Sequence, residues 1–275
     1  MSSVRVIAEI GENHGGDIEL AARMIERAAA AGADVVKFQS YRGADVDPDD
    51  PERDWFTQVE LSDDDHRALL ELARGHGVEF LSAPFSLDRA RLLVEDLGLT
   101  AVKVASSEML NFGLLDYLNG RVDAVYISTG LADLDEVRVA VDHLADVPDV
   151  TVMHCVTQYP LADELANLNA IRTLSDALHG RQVGYSDHTI GITAPLLAVA
   201  LGATAIEKHF TVDRSLPGTD HVLSLLPDEL ERMIGEIRRA ELMLGSGDKR
   251  PADAELEIRE FVRGRFPKTA LQREG

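Results

Sequence analysis

Gly184-Tyr185-Ser186-Asp187-His188-Thr189 and Ile206-Glu207-Lys208-His209-Phe210 are the two stretches that decide the fold. Each contains the end of a short apolar run that is typical of a strand, and residues 191–201 between them are long enough for one helix. A strand, a helix and a second strand form two parallel neighbours whose C-terminal ends point the same way. The sequence therefore predicts that His188 and His209 lie side by side at one end of a parallel sheet.

Two imidazoles with open positions beside them suit a divalent cation that acts as a Lewis acid, rather than a structural cation with a closed shell. The alternative interpretation is that both rings are ordinary buried histidines, because the chain has nine. The remainder of the sequence has to favour one of the two.

The charge balance limits the class of partner. The 275 residues carry 27 basic and 48 acidic side chains, a net charge of −21. Phosphate-rich surfaces bind basic proteins, so we expect neither nucleic acid nor a membrane as a partner. An anionic substrate would need a local basic pocket that works against the field of the whole chain.

The single cysteine, Cys155, excludes an internal disulfide, and its apolar surroundings favour core packing over catalysis. No signal peptide or membrane span is evident in the sequence. These features fit a reducing cytosol, so we expect a cytoplasmic protein.

One rhythm repeats along the chain: a short β-branched run, a turn, and then a stretch with helical spacing. Eight such units predict a single-domain (β/α)8 TIM barrel over residues 1–245, followed by a polar helix and tail over 246–275. An open doubly wound sheet is the alternative, but the turn after the first run lacks the Gly-x-Gly-x-x-Gly pattern. The predicted strands are Val4–Ile10, Val35–Gln39, Val78–Ser82, Ala101–Ala105, Ala124–Ser128, Val150–Val156, Gln182–Tyr185 and Ala203–His209.

An acidic insertion over residues 41–60 interrupts this rhythm after the second strand. Its composition is typical of a solvated loop, although a lid that carries Trp55 and Phe56 is the other interpretation.

Polar side chains collect at the predicted C-terminal ends of the strands, where barrels of this type place their reacting groups. Lysines, hydroxyls and glutamates at these ends suit a ligand that carries a phosphate and a carboxylate. Taken singly, each lysine also fits a salt bridge and each serine also fits a helix cap.

Nine segments together resemble the sialic acid synthase (NeuB-like) family, in the family's order, over roughly residues 4 to 245. The final three are the most specific in combination. The segments are Ile7–Gly11 with Asn13-His14, Val36–Gln39, Phe80–Phe85, Lys103–Glu108, Ile127–Gly130, His154–Pro160, Tyr185–His188, Glu207–Phe210 and Pro217–His221.

The resemblance implies an enzyme: a transferase of carbohydrate biosynthesis that condenses phosphoenolpyruvate with the open-chain aldehyde of an aldose. The product would be a 2-keto, nonulosonic-acid-like sugar acid, with free phosphate. His188 and His209 correspond to the family's metal ligands, usually for manganese, with magnesium or cobalt as alternatives. The phosphoenolpyruvate cradle would be Lys37, Lys103, Ser106, Ser128, Thr157 and Ser186, and the groups that face the reacting centre or the sugar would be Glu9, Gln39, Lys103, Glu108, Tyr159 and Asp220.

The sequence departs from the family's pattern at its C-terminal end. Bacterial members typically carry an antifreeze-like (SAF) domain whose arginine reaches the sugar's acyl group in a partner subunit, and this sequence ends at Gly275. Three expectations follow: a separate SAF-domain protein acts in trans, Arg263 or Arg265 substitutes, or the acceptor lacks an N-acyl group. We favour the third, and we expect that a homodimer can still form through helix faces.

Two other functions remain open. A 3-deoxy-keto-acid synthase or a Schiff-base aldolase on a different aldose would use similar strand ends, with Lys103 as the aldolase lysine. A non-catalytic sugar- or phosphate-binding barrel is the alternative from another class.

Overall fold

The computed structural model describes residues 3–266 of the chain. Eight strands in this part form one parallel sheet, in the order β3-β2-β1-β8-β7-β6-β5-β4. The curled sheet with its intervening helices is the (β/α)8 barrel that the sequence predicts. The strands are β1 (Arg5–Gly11), β2 (Val35–Ser40), β3 (Glu79–Pro84), β4 (Ala101–Val104), β5 (Ala124–Ser128), β6 (Asp149–Cys155), β7 (Gln182–Asp187) and β8 (Ala205–His209).

The helices cover the outside of this sheet, with their apolar stripes packed inward. Helix α1 shows the pattern, because Leu20, Met24, Ile25 and Ala28 are buried at helical spacing. The helices are α1 (Ile18–Ala30), α2 (Arg53–Val59), α3 (Asp63–Gly75), α4 (Leu87–Arg91), α5 (Phe112–Leu118), α6 (Leu134–Asp142), α7 (Ala170–Ala177), α8 (Thr193–Ala200), α9 (Pro227–Leu244) and α10 (Asp253–Gly264).

Five of the helices begin at residues whose side chains cap the first turn. The side chains of Asp17, Ser62, Ser86, Asn111 and Asp133 each accept hydrogen bonds from backbone N–H groups of the helix that follows. These N–H groups have no partner within the helix, so the capping oxygens stabilise its start.

The interior of the barrel contains an apolar layer, separate from the core between sheet and helices. Six buried side chains form it, all from strands: Ile7, Val35, Leu81, Tyr126, Met153 and Ala205. Side chains alternate between the two faces of a strand, so the residues two positions further along point into the same interior. On β1, β2 and β8 those residues are Glu9, Lys37 and Glu207.

The chain divides into two units, residues 1–242 and 243–275. The first contains the barrel. In the second, α10 is described through Gly264, and its apolar side chains are exposed. Among the described helices, none is both long enough and apolar enough to cross a membrane.

Candidate active site

Above the apolar layer, side chains from seven of the eight strands surround a cavity of about 180 Å³. They alternate with residues that face the outer core, so the pleat of each strand brings them to the same level. The strand residues that line this active-site cavity are Glu9, Lys37, Gln39, Lys103, Ser128, Cys155, Ser186 and Glu207.

Two lysines and two glutamates in the cavity form a buried ion-pair network. The Lys37 ammonium lies 2.8 Å from Glu9 Oε1 and 3.7 Å from Glu207 Oε1. Lys103 donates to both oxygens of Glu207, at 2.7 and 2.8 Å, and Ser186 Oγ donates to Glu207 Oε1 at 3.0 Å. Glu207 therefore fixes both ammonium groups while keeping the formal charge of the four side chains at zero.

The two glutamates respond differently to burial. Burial raises the pKa of Glu9 to about 7, although Lys37 opposes the shift. Burial also acts on Glu207, but Lys103 and Lys37 outweigh it and hold the pKa of Glu207 well below its ordinary value. Glu207 is thus the permanent anion of the network, and Glu9 is the carboxyl group that can exchange a proton near neutral pH.

Hydroxyl groups line another part of the cavity, and one glycine packs against them. The backbone N–H of Gly130 donates to Ser106 Oγ at 3.0 Å. A Cβ atom at position 130 would lie 2.2 Å from Thr157 Oγ1 and 2.8 Å from Ser106 Oγ, so only glycine fits there. Ser128 Oγ is buried and has no hydrogen-bond partner within residues 3–266. This arrangement leaves hydroxyl donors free for an anionic ligand.

His188 and His209 lie side by side, with ring centroids 5.3 Å apart. His188 Nδ1 is 2.7 Å from the Val156 carbonyl oxygen, which can only accept, so Nδ1 carries the proton and Nε2 keeps its lone pair. The Tyr159 ring packs on His188 with a centroid distance of 4.0 Å. The arrangement agrees with the adjacent pair that the sequence predicts.

His209 is buried, and one of its ring nitrogens has no hydrogen-bond partner within the described residues. Its Nδ1 lies 3.3 Å from Asp220 Oδ2, but the orientation does not make a hydrogen bond. Burial lowers the pKa of His209 to about 3 and that of His188 to about 4. Both rings are therefore neutral at physiological pH, which is the form that binds a metal.

The donor set can be compared with what a metal ion requires. Within the described range, 3–266, no group of three or more His, Cys, Asp or Glu side chains is placed to hold an ion. Two neutral imidazoles with available nitrogens fit an ion that keeps most of its positions for water and substrate. They do not fit a structural ion with a closed tetrahedral shell.

Three of the predicted site residues lie outside the lining of the cavity: Glu108, Asp220 and His209. Asp220 and His209 neighbour each other beside it, whereas Glu108 Oε2 accepts a hydrogen bond from Asn111 at 2.8 Å. The remaining predicted residues line the cavity: Glu9, Lys37, Gln39, Lys103, Ser106, Ser128, Thr157, Tyr159, Ser186 and His188.

Comparison with known proteins identifies the family. Residues 24–249 match the model of the NeuB family. The chain belongs to the NeuB family. N,N'-diacetyllegionaminic acid synthase of Legionella pneumophila is 40% identical over 281 residues, which cover 94% of this chain and 78% of that protein. Pseudaminic acid synthase of Campylobacter jejuni (serotype O:2) is 31% identical over 96% of this chain and 81% of its own length.

A solved structure agrees with these matches. The crystal structure of N-acetylneuraminic acid (sialic acid) synthetase from Leptospira borgpetersenii, in complex with citrate, superposes with a TM-score of 0.89 at 37% identity. The superposition covers 95% of this chain and 92% of that one. This NeuB family member is therefore an enzyme of the sugar acid synthase class.

Glu207 is a residue of the site to which the resemblance to the family assigned no role in this NeuB barrel. Strand alternation was the signal that could have found it, because Glu207 lies two residues before His209 on β8. The adjacent Lys208 faces the other way and donates to Asp187 Oδ2 at 2.7 Å, in a fully buried ion pair. The motif of this strand thus combines Glu207, which lines the cavity, with Lys208, which holds β7 and β8 together, and His209, which lies beside the cavity.

A second, larger cavity of about 440 Å³ adjoins the first in this NeuB barrel, and Leu131 and Cys155 belong to both linings. The larger cavity contains none of the lysines or glutamates of the ion-pair network. Charge and free hydroxyl groups therefore favour the smaller cavity as the reaction site.

Proposed function

We propose that this NeuB family member condenses phosphoenolpyruvate with the open-chain aldehyde of a sugar, giving a 2-keto sugar acid and phosphate. The observation that carries the proposal is the small cavity in which two buried lysines lie next to the histidine pair, together with a Ser128 hydroxyl that has no hydrogen-bond partner within residues 3–266. The family relationship supports it, because similar chains are legionaminic, pseudaminic and sialic acid synthases.

Phosphoenolpyruvate carries about three negative charges near neutral pH, so it requires fixed cationic donors. Lys37 and Lys103 supply two ammonium groups that Glu207 already holds in position. Ser106, Ser128 and Thr157 add hydroxyl donors from the neighbouring loops and strand. The ligand would bind with its phosphate and carboxylate on these groups and its methylene carbon toward the histidine side.

The chemistry then proceeds in two stages. The methylene carbon of phosphoenolpyruvate attacks the aldehyde carbon, forming the carbon–carbon bond and leaving positive charge at C2. Water adds to C2, and the resulting adduct loses phosphate to give the keto group. When bound, a divalent ion held by His188 and His209 supplies Lewis acidity at the aldehyde oxygen.

Of the two glutamates predicted to face the reacting centre, Glu9 is better placed than Glu108 to act as the general base. Its side chain is buried in the cavity, and Oε2 has no hydrogen-bond partner within the described residues. Glu108 is outside the cavity lining and bonded to Asn111. We therefore assign Glu9 as the general base that accepts a proton from the attacking water. The Lys37 ammonium, 2.8 Å away, keeps the Glu9 carboxylate in place.

Phosphate release from phosphoenolpyruvate tests the function. The protein would be stripped of metal, reloaded with manganese, magnesium or cobalt, and assayed with aldoses that carry or lack N-acyl groups. We expect Lys103→Met to lose at least about a hundredfold in kcat/KM, as for removal of a fixed charge donor. Lys249→Met, which removes an exposed lysine, is the matched control and should match the wild type.

Two outcomes would contradict the proposal. A covalent adduct on Lys103 after borohydride treatment with pyruvate would indicate a Schiff-base aldolase instead. Near-normal activity and metal content in both His188→Ala and His209→Ala would refute the assignment of these histidines as ligands.

A further inference from the structure

Glu12 is a carboxylate at the mouth of the barrel that the proposed reaction does not use. Its Oε2 accepts a hydrogen bond from Trp55 Nε1 at 2.7 Å, and its Oε1 accepts one from the Tyr41 hydroxyl at 3.1 Å. Both donors belong to the acidic insertion over residues 41–60, whereas Glu12 follows β1. One side chain of the β1–α1 loop thus binds the insertion at two points.

The insertion is an ordered unit rather than the solvated loop that its composition predicts. Residues 43–45 form a turn of 3₁₀ helix, and α2 follows. The Gly43 backbone N–H donates to Glu60 Oε2 at 2.7 Å, which joins its two ends. The Tyr41 ring makes edge contacts with Phe56 and Phe85, at centroid distances of 5.3 and 5.8 Å.

Trp55 places its ring against the loop that follows β8. A Cβ atom on Gly218 would lie 3.3 Å from Trp55 Cζ2, so the ring lies directly over this glycine. Two residues further on, Asp220 lies 3.3 Å from His209. The Trp55 ring is half-buried, so part of its surface remains open.

The topology separates this ring from the groups proposed to bind phosphate. Glu12, Trp55 and Gly218 follow β1, β2 and β8, which are neighbours in the sheet. Ser106, Gly130 and Thr157 follow β4, β5 and β6, which are neighbours on another part of the barrel. Trp55 therefore lies on the histidine side of the mouth, away from the hydroxyl groups.

The size of the cavity decides which substrate reaches that side. A volume of about 180 Å³ is small beside the roughly 300–1,000 Å³ of typical ligand pockets. It accommodates the smaller, anionic substrate among its lysines. A neutral aldose whose aldehyde lies at the histidine pair would then extend outward past the histidines, toward the surface that Trp55 forms.

We propose that Glu12 is a positioning residue that clamps the Trp55 ring in place, and that this ring is a specificity-determining wall for the aldose. The role of Trp55 toward the aldose rests on the proposed function, whereas the role of Glu12 in holding Trp55 does not. An indole face presents a rigid apolar surface to the C–H groups of a sugar chain, while its N–H is held by a carboxylate. Losing the clamp releases the ring and leaves the phosphoenolpyruvate site intact.

Trp55 is the only tryptophan in the chain, so fluorescence excited selectively at tryptophan reports on this ring. The test compares the full-length wild type with Glu12→Gln and with Asp54→Asn, which makes the same chemical change at an exposed position of α2. Emission wavelength, quenching by acrylamide, melting temperature and KM for each substrate are measured for all three.

We expect Glu12→Gln to shift the emission to longer wavelength and to increase quenching, while Asp54→Asn matches the wild type. KM for the aldose should rise about fivefold, the factor for one weakened hydrogen bond, while KM for phosphoenolpyruvate and the melting temperature stay unchanged. Trp55→Phe keeps an aromatic ring but removes the N–H. It should raise the aldose KM similarly, and it serves as the kinetic test if Glu12→Gln does not fold.

Wild-type emission and quenching in Glu12→Gln would overturn the clamp. Equal increases in both KM values would overturn the wall, because a general structural defect affects both substrates. If the wild type releases no phosphate with any aldose, the proposed function fails. The contact between Trp55 and the sugar is then tested by acrylamide quenching in the presence of mannose or N-acetylmannosamine. Reduced quenching supports the contact, and unchanged quenching overturns it.

Discussion

The Asp187 side chain shows how one residue of a motif can serve the fold while its neighbours serve the site. Asp187 is fully buried and faces away from the cavity, between Ser186, which lines it, and His188. It accepts hydrogen bonds from Lys208 at 2.7 Å, from Tyr185 at 2.9 Å and from the Thr189 backbone at 2.9 Å. These bonds hold the ends of β7 and β8, which carry the two histidines.

Asp187→Ala should lower the free energy of unfolding by about 3 kcal/mol or more, because it leaves the Lys208 ammonium buried without its anion. Denaturant unfolding at neutral pH measures this. The double variant Asp187→Ala with Lys208→Met should recover part of the loss, since no uncompensated charge remains. Asp135→Ala is the control, because its ion pair with Arg138 is exposed and worth less than about 1 kcal/mol. A loss in Asp187→Ala no larger than in the control would contradict this account.

At the scale of the elements, strands and helix starts could be predicted from the sequence. All eight predicted strands are present, and β5 has the predicted bounds. The helix starts at Asp17, Ser62, Ser86 and Asp133 are also signalled by residue type, because Asp and Ser hydrogen-bond locally to N–H groups and need no tertiary partner. Contacts between residues close in sequence are the ones that a sequence reveals.

The features that the sequence did not reveal depend on contacts between distant segments. Glu9 lies near the C-terminal end of β1, and Glu108 follows β4. Only the structure shows that Glu108 bonds to Asn111 and that Glu9 forms an ion pair with Lys37. The insertion was predicted as a solvated loop or a lid, and only the structure shows that it is bonded to Glu12 in another loop. The role of each candidate site residue stays a prediction.

Helix α6 offers a test of capping at this scale. The Asp133 carboxylate accepts hydrogen bonds from the backbone of Asp135 and Glu136, and Glu136 bonds back to the Asp133 N–H. Asp133→Ala should therefore lower the free energy of unfolding by about 1 kcal/mol. Asp142→Ala, at the other end of the helix, should be neutral or slightly stabilising, since a carboxylate there opposes the helix dipole. Equal losses from chemical denaturation of the two variants would argue against the cap.

On the scale of the whole molecule, the charge of −21 repels the anionic substrate that we propose. The lysines of the cavity do not offset this field at a distance, because Glu9 and Glu207 balance them. Attraction is therefore local and begins only when the substrate is within the mouth.

Added salt should consequently increase the rate at which the enzyme captures phosphoenolpyruvate. Raising the potassium chloride concentration from about 10 mM to about 150 mM shortens the Debye length and should increase kcat/KM for phosphoenolpyruvate by about twofold or more. KM for an uncharged aldose, measured at saturating phosphoenolpyruvate, is the internal control and should stay constant. A steady decrease of kcat/KM with salt would show that local attraction by the lysines dominates the encounter.

The apolar layer formed by Ile7, Val35, Leu81, Tyr126, Met153 and Ala205 closes the barrel below the ion-pair network. Because the barrel is closed at this end, both reactants must enter, and both products must leave, through the mouth at the C-terminal ends of the strands. Under the proposed function, phosphoenolpyruvate binds first in the active-site cavity. The sugar binds second, nearer the mouth, and blocks access to the cavity. Substrate binding would then follow a compulsory order, and a sugar that binds before phosphoenolpyruvate would cause substrate inhibition.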